Sequence, residues 1–158
     1  MSVQKSSVAE IAAAPNLAEL LAEYAAESAI AALPPPAGKI ETYRHLEAAG
    51  MLHVFSATHE GRLIGYITVL APVLPHYSAV VAVTESFFVA KVHRKTGAGL
   101  KLLRAAEQKA AALGSPALLV SAPFGGDLAE VLPHVGYVET NRVFCKPLAS
   151  DASQVSNA

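Results

Sequence analysis

Between residues 16 and 31 the apolar side chains Leu17, Leu20, Leu21, Tyr24 and Ala25 recur at three- and four-residue intervals, with Glu19 and Glu23 turned away and Glu27 at the edge. That spacing predicts an amphipathic helix, with Asn16 placed to cap its first turn. The run Leu33-Pro-Pro-Pro-Ala-Gly38 must end it, because successive prolines lack amide donors and restrict the residues before them. A second helix is expected over 40–49, stopping at Gly50. From Leu52 the texture changes: LHVFSAT, a turn containing Gly61, and LIGYITVLAPV predict a hairpin. Ser78 to Ala90, rich in valine, phenylalanine and threonine, predicts a third, longer strand. A helical stripe of Leu102, Leu103, Ala106, Ala110 and Leu113 follows, closed by Gly114. Ala117 to Ser121 reads as a buried strand, Asp127 to Val135 as a short helix, and Tyr137 to Leu148 as a strand pair around Thr140-Asn141. A hairpin followed by strand, helix, strand and helix predicts an α/β chain of the α+β kind, a mixed sheet with helices on its faces.

Length and charge narrow the field. With 158 residues the chain has room for one sizeable core, expected over 1–148, and the small polar stretch 149–158 is expected to be a disordered tail. At 53% hydrophobic and 16% charged residues it lies far from the disordered regime. The formal net charge of -1 gives no global pull toward nucleic acid or anionic membrane. The longest apolar stretch, Leu63 to Leu74, is interrupted by Gly65 and Pro72 and is too short to span a bilayer, so no membrane is expected. Cys145 is the single cysteine, which excludes an intrachain disulfide and suits a reduced, cytoplasmic compartment. His53 and His59 lack the spacing and carboxylates of a metal site, and no metal is expected.

One segment carries chemistry. Glu85-Ser-Phe-Phe-Val-Ala-Lys-Val-His-Arg-Lys-Thr-Gly-Ala-Gly99 runs from a strand directly into a helix. Amides at a helix N-terminus are unpaired and partly positive, and glycines there let an anion approach closely. Lys91, Arg94, Lys95, Lys101 and Arg104 crowd the same region, with no acid between Glu85 and Glu107. A polyanion is the expected ligand. The spacing matches neither a Walker loop nor G-x-G-x-x-G.

What remains, R-x-x-G-x-G after an aliphatic and aromatic strand, resembles the acetyl-CoA motif of the GNAT acyltransferases. Arg94, Gly97 and Gly99 fill its defining places, and Phe87 and Val89 fill the apolar strand places before it. Glu85 stands where many members carry a strand glutamate close to the reacting amine, and Gly136-Tyr137 resembles the family's Gly-Phe pair. Glu-Ser-Phe-Phe-Val, with Pro75-His76-Tyr77 before it, also resembles a subgroup found in phage and prophage genomes. The resemblance implies a central sheet whose strands splay to admit acetyl-CoA as cosubstrate. It also implies transfer of the acetyl group to a primary amine by direct attack, and a cofactor site made by Phe87, Val89, Arg94, Lys95, Thr96, Gly97, Ala98, Gly99 and Leu100. Lys91 departs from the family pattern at a common proline. Leu132 departs at the tyrosine that protonates the leaving thiolate.

Glu85 is the candidate general base, and strand alternation puts it on the face of Phe87 and Val89. With the usual tyrosine missing, Tyr77, His76 and His134 are the candidate acids. Two rival readings stand beside this one: a catalytically silent module that binds acyl-CoA, and a nucleic-acid binder using the basic patch. The patch is small and lacks interleaved aromatic side chains, which disfavours nucleic acid. A homodimer is compatible with the leading reading, and the acceptor amine is left open.

Overall fold

A computed structural model of the chain describes residues 1–34 and 40–148. Most of the proline-rich break and all of the stretch 149–158 expected to be disordered lie outside the described residues. The chain begins with two elements that the hydrophobic pattern did not announce. The first is strand β1 (Ser2–Ser6); the second is helix α1 (Val8–Ala12), closed at its start by reciprocal bonds between Ser7 and Glu10. Helix α2 (Leu17–Ser28) and helix α3 (Ile40–Ala48) follow as expected. Asn16 does precede α2, but its side chain does not cap it. The amide instead donates to the carbonyl of Leu63 at 2.7 Å and accepts from the Leu63 amide at 3.3 Å, pinning the helix start to the sheet.

Strands β2 (Leu52–His59) and β3 (Arg62–Leu70) form the expected hairpin, with Glu60 and Gly61 both at positive φ in the turn. The third strand is divided. Val73–Leu74 (β4) and Ala79–Val80 (β5) make a small separate ladder, and Ala82–Val89 (β6) joins the main sheet. A 3-10 helix over Lys91–Thr96 leads into α4 (Ala98–Ala112), followed by β7 (Leu118–Leu119) and α5 (Asp127–His134). The five-stranded sheet has the order β1-β2-β3-β6-β7, antiparallel except for the parallel β6–β7 pair.

Two layers cover the sheet. On one face Leu102, Leu103, Ala106 and Ala110 of α4 pack against Phe55, Ile67, Val69 and Val89. On the other, Leu20 of α2 meets Leu63, Tyr66 and Phe88, while Tyr43 and Leu46 of α3 cover Leu52 and Val54. Gly65 is required where β3 passes β6, because a Cβ there would stand 2.7 Å from the Phe88 carbonyl oxygen.

Two sequence expectations fail. The strand at 117–121 is reduced to Leu118 and Leu119, half-buried and exposed rather than buried. Residues 137–148 form no strand pair, and Val138, Val143, Phe144 and Leu148 are exposed. Alternating residues supply the pleat, but a ladder needs partner amides, and this segment has none among the described residues.

Candidate active site

Strand β6 carries the site, and a bulge decides which way it faces. Thr68 of β3 pairs with Ser86, but the next residue, Val69, pairs with Thr84, so Glu85 is an extra residue opposite no partner. A bulge puts neighbouring side chains on one side and reverses the alternation beyond it. Phe87 and Val89 belong to the α4 core, whereas Glu85 bonds to Thr68 and Tyr43 on the α2/α3 face. The expectation that Glu85 shares a face with Phe87 and Val89 is therefore corrected: it lies on the opposite one.

Glu85 is held by neutral donors. The Tyr43 hydroxyl donates to Oε1 at 2.9 Å and Thr68 Oγ1 donates to Oε2 at 3.0 Å; Thr68 also bonds Ser86 Oγ at 2.7 Å and accepts from the Ser86 amide at 3.0 Å. On the same face Tyr24 and Tyr66 pack edge-to-face, ring centres 6.2 Å apart, with Tyr24 also 5.7 Å from Phe88. Burial first, and then the Glu85 charge, push the Tyr43 hydroxyl above the usual phenol range, so it stays protonated as a donor. Tyr66 is raised by burial and by Tyr24, Tyr43 and Glu85, and Tyr24 by burial, opposed by Ser28. A cavity of about 200 Å³ lies beside Tyr24, lined also by Ser28, Ile30, Leu33 and Pro34.

The glycine turn occupies the start of α4. Gly97 takes φ 81°, in the left-handed region, and nothing lies within 4 Å of where its Cβ would be. The helix therefore starts with open space at the Gly97 side of its first amides, which leaves room for phosphate oxygens. At Gly99 a Cβ would stand 3.6 Å from Phe87 and 3.7 Å from Val89, so the first turn rests on the end of β6. Lys95, Thr96 and Leu100 are exposed. Ala98 is fully buried, so its methyl group belongs to the core and only its backbone could serve a ligand.

Arg94 is already engaged. Its guanidinium bonds Glu27 at 2.6 Å, Asp127 at 3.2 Å and the Val89 carbonyl at 3.1 Å, and lies 5.6 Å from the centre of the Phe88 ring. Burial works against its charge, and the Glu27 and Asp127 carboxylates outweigh this, holding its pKa above the ordinary value. Lys91 pairs with the same Glu27 at 3.4 Å. Glu27, at the edge of its helix, thus faces the basic turn.

Between turn and carboxylate the sheet opens. β7 pairs with β6 only at Ala82 and Val83, leaving the rest of that edge of β6 without a ladder partner among the described residues. That edge of β6 borders both the α4 face, where the turn lies, and the face that carries Glu85. The candidate acids are not gathered here. Tyr77 lies in the turn between β4 and β5, exposed and stacked edge-to-face on His76 at 4.8 Å, and His134 is exposed at the end of α5. Neither is hydrogen-bonded to Glu85 among the described residues. Leu132 is buried in the α4 core. Tyr43 and Thr68 went unrecognised in the sequence, since they come from elements 42 and 17 residues distant from Glu85. The described residues contain no cluster of three or more potential metal ligands.

The profile described as the acetyltransferase (GNAT) family matches residues 16–123. No curated protein sequence matches the chain. Among solved structures, the ribosomal-protein-alanine N-acetyltransferase of Brucella melitensis biovar Abortus 2308 superposes with a TM-score of 0.68 at 17% identity, covering 94% of this chain and 100% of that one. The aminoglycoside 6'-N-acetyltransferase AAC(6')-IG of Acinetobacter haemolyticus gives 0.66 at 18%, covering 94% and 100%. AAC(6')-Iy, solved with a bisubstrate analog of CoA and acetylneamine, gives 0.71 at 17%, covering 94% and 98%. At these identities the likeness establishes the fold. With the family match over well more than half of the chain, it shows that the protein belongs to the GNAT acetyltransferases, enzymes that move an acetyl group from acetyl-CoA to an amine.

Proposed function

We propose that the amine is deprotonated by Glu85 on the α2/α3 face and attacks acetyl-CoA held from the α4 face, the two meeting at the opening between β6 and β7. The observation that carries this reading is the bulge at Glu85, which turns a carboxylate away from the cofactor face and toward the tyrosine cluster. The amides of Gly97 to Gly99, with Lys95, Thr96 and Leu100 around them, are assigned to the pyrophosphate, and Phe87 and Val89 to the wall beneath it. Arg94 joins that site by exchanging a carboxylate partner for phosphate. Acetyl-CoA supplies the activated acyl group. In the transfer a C–N bond forms, the thioester C–S bond breaks, Glu85 takes the amine proton directly or through water, and CoA leaves as thiolate.

Tyr77 and His134 are kept as candidate acids for the departing thiolate, and neither is among the groups hydrogen-bonded to Glu85. A single acyltransferase domain over 1–148 and a cytoplasmic setting complete the reading, the latter supported by the free, exposed Cys145. No described helix is long and apolar enough to cross a membrane. A homodimer through the C-terminal segment is also proposed, supported by the exposed apolar side chains of Val138, Val143, Phe144 and Leu148.

The deciding experiment measures CoA release with an amine panel for wild type and Glu85→Gln. A rate on the order of 10²-fold lower in Glu85→Gln, with CoA affinity kept, is expected. An unchanged rate removes Glu85 from the mechanism.

A further inference from the structure

In a regular strand Glu85 and Ser86 would point to opposite faces, but the bulge in β6 lets these consecutive side chains share one. Both reach the same hydroxyl. Thr68 Oγ1 bonds Glu85 Oε2 at 3.0 Å and Ser86 Oγ at 2.7 Å, and the Ser86 amide donates to it at 3.0 Å. Thr68 and Ser86 are buried, whereas Glu85, at the end of this row, is exposed. The other ionisable groups that feel the Glu85 charge are phenols: Tyr43 of α3, Tyr24 of α2 and Tyr66 of β3. No lysine, arginine or histidine pairs with Glu85 among the described residues.

Counting hydrogens fixes the direction of these bonds. A hydroxyl has one proton to give and two lone pairs with which to accept, a backbone amide only donates, and an ionised carboxylate only accepts. Thr68 therefore gives its proton to Glu85, one of its lone pairs takes the Ser86 amide, and the other takes the Ser86 hydroxyl proton. The chain of donors runs one way, from Ser86 through Thr68 to Glu85. With both lone pairs filled from Ser86, Thr68 has no site for a proton coming back from the carboxylate.

Resting on the reading of Glu85 as the base, we propose that Ser86 is a positioning residue that acts on Glu85 through Thr68. Its hydroxyl keeps Thr68 a donor to Oε2, so the carboxylate holds one aim. The proton that Glu85 takes from the amine then leaves to solvent on the exposed side instead of passing into the sheet.

The test follows the side-chain carboxyl signal of Glu85 by carbon NMR as the free protein is titrated with acid, the signal being assigned with Glu85→Gln. Thr68→Val removes the donor to the charged form and should move the midpoint of that titration up by roughly 0.5–1 pH unit. Ser86→Ala leaves Thr68 in place and should move it up by roughly 0.2 unit, in line with the roughly 10–30% that one hydrogen bond adds to the next in a chain. In the Thr68→Val background the effect of Ser86→Ala should vanish, because the link is gone. Ser86→Cys, a weak donor of similar size, should fall between wild type and Ser86→Ala, and it carries the test if Ser86→Ala does not fold. A midpoint indifferent to Ser86, or one that Ser86→Ala moves equally with and without the Thr68 hydroxyl, overturns the proposal. In acetyl transfer with the amine panel, the acid limb of kcat/KM should move with the same sign as the midpoint. A midpoint that depends on Ser86 through Thr68, combined with a transfer rate indifferent to Glu85→Gln, upholds the positioning role and removes the general-base role instead.

Discussion

The Tyr43 hydroxyl donates to Glu85 Oε1 at 2.9 Å, and so ties helix α3 to the bulged residue of β6 across 42 positions of sequence. With Thr68 on the other oxygen, the carboxylate is fixed in direction. Tyr43 is thus a positioning residue for the proposed base. Tyr43→Phe keeps the ring in its apolar setting and removes the donor, so kcat should fall roughly 3- to 10-fold, the worth of one ordinary hydrogen bond, while CoA affinity stays constant. Tyr43→Ala should lose stability as well. Steady-state kinetics beside a CoA titration separate the two; a kcat indifferent to Tyr43→Phe would show that the bond orients nothing.

Arg94 bridges Glu27 and Asp127, and a pyrophosphate must compete with both carboxylates for it. Asp127 is the weaker holder, being 80% exposed and 3.2 Å away. Exposed pairs contribute about 0.2–1 kcal/mol, so Asp127→Asn should strengthen CoA binding by up to about 5-fold, and Arg94→Ala should weaken it. Calorimetry across a salt series checks both; weaker binding in Asp127→Asn would mean that the acid orients Arg94 for the ligand.

Gly97 and Gly99 should respond differently to alanine. Gly97 lies at φ 81° with open space around it, so Gly97→Ala costs about 1 kcal/mol in backbone strain without a clash. A methyl at Gly99 meets Phe87 and Val89 at ordinary contact distance and should leave stability nearly unchanged. Gly97→Glu, which puts bulk and like charge in that open space, should abolish CoA binding in a folded protein. Thermal melts with CoA titration read all three.

Gly65→Ala tests the sheet itself. Its methyl would stand 2.7 Å from the Phe88 carbonyl oxygen and 3.0 Å from a Val89 methyl, in a layer with no slack. A loss of about 1–3 kcal/mol is expected by urea denaturation, because backbone must move to admit it. A neutral result would mean that β3 and β6 separate easily.

His53 gives the pH dependence a sign. Burial, then Lys109 and Lys5, lower its pKa below the ordinary histidine value, and its Nε2 has no hydrogen-bond partner among the described residues. The unfolded chain therefore binds this proton at a higher pH than the folded one. Stability should fall as pH drops below about 6.5, and continue falling to the depressed folded value. His53→Gln should flatten that slope in denaturation curves between pH 7 and 5; an identical slope would assign it to other groups.

The sequence alone determined what is local. Helical periodicity located α3 and α4 to within a residue and α2 to within three, the Gly61 turn located the β2–β3 hairpin, and the spacing of Arg94, Gly97 and Gly99 located the turn at the start of α4. Each of these is set by backbone preference and side-chain period within a few residues. Tertiary structure decided the rest. Strand alternation assigned Glu85 to the Phe87 face; the actual face depends on whether Val69 pairs with Thr84 or with Glu85, a choice made by the neighbouring strand. The role of Tyr43, the engagement of Arg94 by Glu27 and Asp127, and the failure of 137–148 to form a ladder likewise depend on partners far away in sequence. Register and partner choice are collective properties of packing, and a one-residue slip in register carries every later side chain to the other face.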